Sequence, residues 1–212
     1  MSAYDLEEQE QLAELKAWWK QYGNLIVVAI CAALVVLAGY RMWHRYQAAQ
    51  AVQASAIYAE LQKAAAANDT RKVREAAGQL IEQYPRALYA ALGALVSAKV
   101  HFEAGDAKTA RAQLQWVIDH ASDPGVQAIA RLRLASVLLD ERAYEDALQV
   151  LAAKRPPSFE PLFEALRGDV LLAQGKAADA RTAYQSALAQ LQPKDESARE
   201  LIQMKLDGVP GR

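Results

Sequence analysis

Residues 161–193 read PLFEALRGDVLLAQGKAADARTAYQSALAQLQP. Two apolar-periodic segments are separated here by Gly175-Lys176, and the pair is bounded by Pro161 and Pro193, the punctuation of one helix, a tight turn and a second helix. Gly168, Gly175, Ala180, Tyr184 and Ala187 stand at the positions where such a pair needs small or aromatic residues. Two helices that cross closely leave no room for branched side chains at the crossing, and an aromatic ring fills the space toward the next pair.

Two further segments align on this one. Ala98, Gly105 and Ala110 take the corresponding places in ALGALVSAKVHFEAGDAKTARAQLQWVIDHA, and Ala135, Tyr144 and Ala147 do so in IARLRLASVLLDERAYEDALQVLA. Starts at Ala91, Ala128 and Pro161 give intervals of 37 and 33 residues, close to the roughly 34 of a tetratricopeptide repeat. A fourth, degenerate unit precedes them: a helix over Tyr46 to Ala67, the turn Asn68-Asp69-Thr70, and a helix over Arg71 to Tyr84 closed by Pro85. Asn68-Asp69-Thr70 has the form of a glycosylation sequon, but its place between two helices favours capping. Departures from the repeat pattern are clear: Arg142 stands at the usual turn glycine, Arg167 where leucine is preferred, and several first-helix aromatics are missing. A last helix over Asp195 to Leu206, with Leu201, Ile202 and Leu206, is expected to cap the array, followed by a fraying tail from Asp207 to Arg212.

Upstream lies QYGNLIVVAICAALVVLAGY, Gln21 to Tyr40, without a charged residue and flanked by Trp18, Trp19, Lys20, Arg41, Trp43, His44 and Arg45. About 20 helical residues span the roughly 30 Å hydrocarbon core, with aromatic and cationic residues at the interfaces. A cleaved signal peptide needs a cationic start, whereas Asp5, Glu7, Glu8, Glu10 and Glu14 outnumber Lys16 and Lys20. A buried core helix would carry a polar stripe, and this stretch has none. A retained anchor is the expectation. Ala29 and Ala33 form a weak close-approach pattern inside it. Two cations flank each end, so the positive-inside rule leaves orientation open. In the acidic tail, Asp5 and Glu8 have capping spacing, and Leu12, Leu15 and Trp19 share a helical face. That face fits a solvated helix, an interfacial helix or a docking site.

From Tyr46 onward 20 Lys plus Arg balance 20 Asp plus Glu, which leaves no electrostatic footprint for nucleic acid. Cys31 is the only cysteine, so the repeats hold no disulfide and no thiol nucleophile or ligand. The three histidines, His44, His101 and His120, are far apart and accompanied by no catalytic or metal-binding pattern. His101-Phe102-Glu103 has the spacing of a zinc deaminase motif but lacks the cysteines. His101 reads as a packing or surface residue, Gly175-Lys176 as a turn, and Asp140-Glu141 and Glu145-Asp146 as solvated surface. The chain is expected to be no enzyme and to take no cofactor, metal or small-molecule substrate.

The acidic tail, the single span with its Tyr40-Arg41-Met42-Trp43 junction, the degenerate repeats, LRLA at Leu132 to Ala135, LRGDVLLAQGKAADARTAY at Leu166 to Tyr184 and QMKLD at Gln203 to Asp207 together resemble the YfgM family of ancillary SecYEG translocon subunits. The resemblance covers nearly the whole chain. It implies a single-pass inner-membrane protein with a cytoplasmic N-terminus and periplasmic repeats, partnered by SecYEG and a PpiD-type membrane-anchored chaperone. The expected class is all-α: an acidic tail over 1–20, a transmembrane helix over 21–40, a tetratricopeptide-repeat-like solenoid with its cap over 41–206, and a flexible end over 207–212.

A solenoid of helix pairs binds extended or helical segments on the concave wall lined by each first helix. Carrying the repeat register forward places Leu92, Leu95, Lys99 and Phe102, then Ile129, Leu132, Ser136 and Leu139, then Leu162, Asp169 and Leu172 on that wall. The leucines have core packing as their alternative. Lys99, Ser136 and Asp169 are the sharper candidates. Two functions fit: a tethered scaffold that brings a chaperone to the channel, with the short junction holding the groove at the membrane face, or a holdase that binds unfolded segments itself.

Overall fold

Four residues with left-handed backbone mark the repeat in three dimensions: Asn68 (φ 54°), Gly105 (φ 83°), Arg142 (φ 61°) and Gly175 (φ 78°). Each ends a helix in the same way. The amide of the left-handed residue donates to a carbonyl three residues back, and the next amide reaches five back, as when Gly105 bonds Phe102 and Asp106 bonds His101. Asn68 and Asp69, Arg142 and Ala143, and Gly175 and Lys176 repeat that double closure. This is the Schellman arrangement, in which orphan carbonyls of the helix end are satisfied within a turn. Arg142 adopts the glycine geometry despite its Cβ.

The residue after each left-handed position also starts the next helix. Asp69 accepts from the Lys72 amide and Asp106 from the Thr109 amide, at 3.1 and 3.0 Å. Ala143 and Lys176 stand at the equivalent starts without a side-chain cap. The sequon-like Asn68-Asp69-Thr70 is thus a helix stop and a helix start.

The computed structural model describes residues 3–193 and 195–210, with the side chains of 3–15, 17, 25, 26, 29, 30, 44, 46 and 48 outside the description. Among the described residues there are nine α-helices and one 3-10 turn: α1 (Ala3–Ala66), α2 (Thr70–Gln83), α3 (Leu88–Glu103), α4 (Ala107–His120), α5 (Pro124–Asp140), α6 (Tyr144–Leu151), the 3-10 turn Pro157–Phe159, α7 (Glu160–Ala173), α8 (Ala177–Gln190) and α9 (Glu196–Asp207). The chain divides into two compact units, Met1–Gln50 and Ala51–Arg212.

In the first unit α1 runs without a break through the tail and the uncharged stretch. Its described large apolar side chains, among them Val27, Val28, Leu34, Val35, Val36 and Leu37, are exposed, as is Cys31. Among the described residues no helix is long and apolar enough to cross a membrane. The expected anchor falls partly outside them, because the side chains at 25, 26, 29 and 30 are not described. The same holds for the Ala29 member of the small-residue pair and for Leu12 and Leu15 of the tail.

In the second unit the repeat positions line up by burial. Ala98, Ala135 and Gly168 on the first helices, and Ala110, Ala147 and Ala180 on the second, are all buried. At the equivalent second-helix positions, each 16 residues after the first-helix one, stand Leu114, Leu151 and Tyr184, also buried. The last pair exchanges alanine and leucine for glycine and tyrosine, a swap that keeps the volume of the site. A Cβ on Gly168 would lie 2.5 Å from Tyr184 Cε1. The end of α1 packs in two smaller clusters, Ala54 and Leu61 with Ala77 and Leu80 of α2 and Ala90 of α3, and Ala64 with Val73 and Val100.

The α6–α7 connection closes on Arg155. Its guanidinium donates to the Leu151 carbonyl at 2.6 Å, pairs with Glu160 and Glu164, and covers the Phe163 ring at 4.7 Å. At the other end α9 seats Ile202 and Leu206 on α8 as the expected cap. Within the tail expected to fray, Asp207 closes α9, Val209 is buried, and Arg181 donates to its carbonyl at 3.0 Å, while Gly211 and Arg212 lie outside the described residues.

Candidate functional site

The wall expected to bind partners divides into core and surface. Leu95 is 5% exposed and belongs to the core. Leu92, Phe102, Ile129, Leu132 and Leu139 are half-buried against the same core, and Leu172 against the C-terminal one. Leu162 is exposed. Lys99 extends into solvent beside Glu103, 3.6 Å away, and the exposed Ser136 donates its hydroxyl to the Leu132 carbonyl.

Asp169 has a structural explanation. It accepts from the Tyr184 hydroxyl at 2.8 Å and from Lys205 Nζ at 2.6 Å, joining α7, α8 and α9. Its polarity on the wall serves this three-helix link. Burial, then the hydrogen bond to Asp169 and its negative charge, push the Tyr184 hydroxyl well above its ordinary pKa, so the donor stays protonated.

Part of the wall gathers into one groove. Ala98, Lys99 and Phe102 of α3 face Arg133, Ser136 and Val137 of α5 over Leu114 of α4, enclosing about 260 Å³. Two of the three sharper sequence candidates, Lys99 and Ser136, meet here with Phe102. Arg133 and Val137 were not anticipated. The signal was available: Arg133 lies three and four residues before Ser136 and Val137, hence on one helical face. Arg133 Nη1 donates to the Leu95 carbonyl at 3.2 Å, which spans the two first helices.

His101 is a packing residue. It is buried on α3, and its Nε2 accepts from Arg74 Nε at 3.0 Å, so the neutral ring carries its proton on Nδ1, which is buried without a partner. Burial, then the Arg74 charge, hold the imidazole below its ordinary pKa against the smaller opposing pull of Asp106. His120 stacks on Trp116 at 4.7 Å. Among the described residues no three His, Cys, Asp or Glu side chains are placed to hold a metal ion.

Comparison with known proteins places this architecture. A family model described as a tetratricopeptide repeat-like domain matches residues 16–211. The chain is 33% identical over 208 residues to the ancillary SecYEG translocon subunit of Neisseria gonorrhoeae, covering 98% of this chain and 99% of that protein. The protein of the same name in Haemophilus influenzae is 30% identical over 211 residues, 98% of this chain and 100% of its own length. That of Escherichia coli is 26% identical over 203 residues, 95% and 96% of the two chains. With the repeat turns, the capped helix pairs and this end-to-end similarity in agreement, the chain belongs to the tetratricopeptide repeat-like family of ancillary SecYEG translocon subunits.

Proposed function

We propose that this chain is a noncatalytic, membrane-tethered scaffold that links the SecYEG translocon to periplasmic chaperone action on emerging polypeptides. The observation that carries the reading is the end-to-end similarity, 98% of this chain against 99% of the Neisseria gonorrhoeae protein named as a translocon subunit. Residues 31–40 of the uncharged run in α1 are exposed, which supports the tether, since contiguous exposed apolar side chains call for an apolar surrounding. In this reading the N-terminus is cytoplasmic and the repeats are periplasmic, with a PpiD-type chaperone as second partner. Tethering raises the effective concentration of weak partners toward the millimolar range.

Affinity purification of the full chain from solubilised membranes tests it. Enrichment of channel subunits and of a periplasmic chaperone is expected, and enrichment of neither refutes the scaffold. Protease treatment of spheroplasts tests the topology: the repeats should be degraded from outside, and their protection would reverse the orientation. The apolar floor of the α3–α5 groove favours holdase action as a second reading. It requires the full chain to suppress aggregation of unfolded clients.

A further inference from the structure

We propose that the groove between α3 and α5 recognises a polypeptide segment that presents a large apolar side chain next to a carboxylate. The inference rests on the polypeptide-binding role of the repeats and specifies its chemistry. At about 260 Å³ the groove is smaller than the roughly 300–1,000 Å³ of small-molecule sites. It holds one or two side chains. Ala98, Leu114 and Val137 form a buried floor without a polar partner to offer, and Phe102 gives a half-buried aromatic wall. An apolar anchor is the complementary occupant.

Charge at the rim sets the second requirement. The cavity lining holds Lys99 and Arg133 and no acidic side chain. Arg133 is tied to a neutral carbonyl, and among the described residues no ion pair joins it to a carboxylate. The Glu103 partner of Lys99 stands 3.6 Å away with both side chains largely in water, a geometry that neutralises little. A guanidinium with one nitrogen committed keeps donors for an incoming carboxylate, and its planar fork favours that anion. Ser136 spends its proton on the Leu132 carbonyl, leaving its oxygen to accept from a bound backbone amide. The overall charge balance beyond Tyr46 argues against nucleic acid as the source of the anion.

The test uses the full chain in detergent micelles and short fluorescent peptides with one central phenylalanine flanked by aspartates, serines or lysines. Binding is read by fluorescence polarisation. The aspartate peptide should bind about tenfold more tightly than the lysine peptide, the scale of one charge-assisted contact. R133Q should bring the three affinities together, K99Q should narrow the spread, and S136W should remove binding of all three by filling the groove. Each altered residue is exposed, and thermal melts confirm that the variants are folded. Equal binding of the three peptides, no binding, or an unchanged preference in R133Q overturns the assignment. Channel co-purification by the wild-type chain is measured from the same preparations. Its retention leaves the translocon role standing while the groove assignment falls, and its loss removes that role independently.

Discussion

Replacing Gly168 by alanine isolates the packing exchange in the last repeat. The new Cβ would meet Tyr184 Cε1, Cδ1 and Cζ at 2.5, 2.7 and 2.8 Å. Ordinary contact needs the ring to retreat by about 1 Å. It has little room to do so, because Tyr184 is buried and its hydroxyl is held on Asp169 at 2.8 Å. Overpacking of this kind costs about 1–3 kcal/mol. Alanine returns about 1 kcal/mol in helix propensity, so G168A should destabilise by up to about 2 kcal/mol, or up to roughly 8 °C in Tm for a unit of this size. In a Y184L background the added alanine recreates the alanine and leucine buried at the equivalent positions, Ala98 and Leu114 in one repeat and Ala135 and Leu151 in another. There G168A should become neutral or stabilising, giving a coupling of about 1–3 kcal/mol between the two positions. Far-UV circular dichroism melts of the full chain and its three variants complete the cycle. An equal effect of G168A in both backgrounds would refute the reasoning.

R142G should raise stability by about 0.5–1 kcal/mol in urea unfolding, because the turn holds Arg142 at φ 61° and glycine adopts that conformation without a Cβ clash. D169A should lower it by about 2 kcal/mol in the same assay, since the Tyr184 hydroxyl and Lys205 lose a shared acceptor. A cost below the detection limit would show that water replaces the link. The pH dependence of stability carries a histidine contribution of definite sign. With the folded pKa of His101 below the ordinary 6.5, the unfolded chain binds the proton first, so the contribution is full above pH 6.5 and is lost as pH falls toward the folded value. Urea midpoints at about pH 7.5 and 5.5 should show this loss in the wild type and its attenuation in H101Q, whose amide oxygen still accepts from Arg74.

The repeats were legible because their turns and crossings demand particular residue sizes at fixed spacing. Gly105 and Gly175 announced two turns, and Arg142 could be aligned between them although it breaks the pattern. The extent of α1 was not legible. Nothing between Ala3 and Ala66 forces a stop, since Gly23 and Gly39 stand alone and proline is absent there, so tail, apolar run and first repeat helix merge. Lys99, Phe102 and Ser136 reached the groove by register alone, whereas the link through Asp169 was not legible because its partners lie 15 and 36 residues away. Val209 was missed for the same reason: its burial depends on Arg181 and the C-terminal core, not on local sequence.

Each repeat turn shares one residue between two helix ends, and that residue differs along the chain. Asp69 and Asp106 hold the starts of α2 and α4, whereas Ala143 and Lys176 leave the starts of α6 and α8 without such a hold. The array is therefore graded in its local opening, with second-helix amides of the later repeats exchanging with solvent sooner than those of the earlier ones. Asp169 counters that gradient by fastening the last pair to α9. The weakest point then falls inside the array, at short α6, so the chain would first yield between two better-held halves and keep its end sealed.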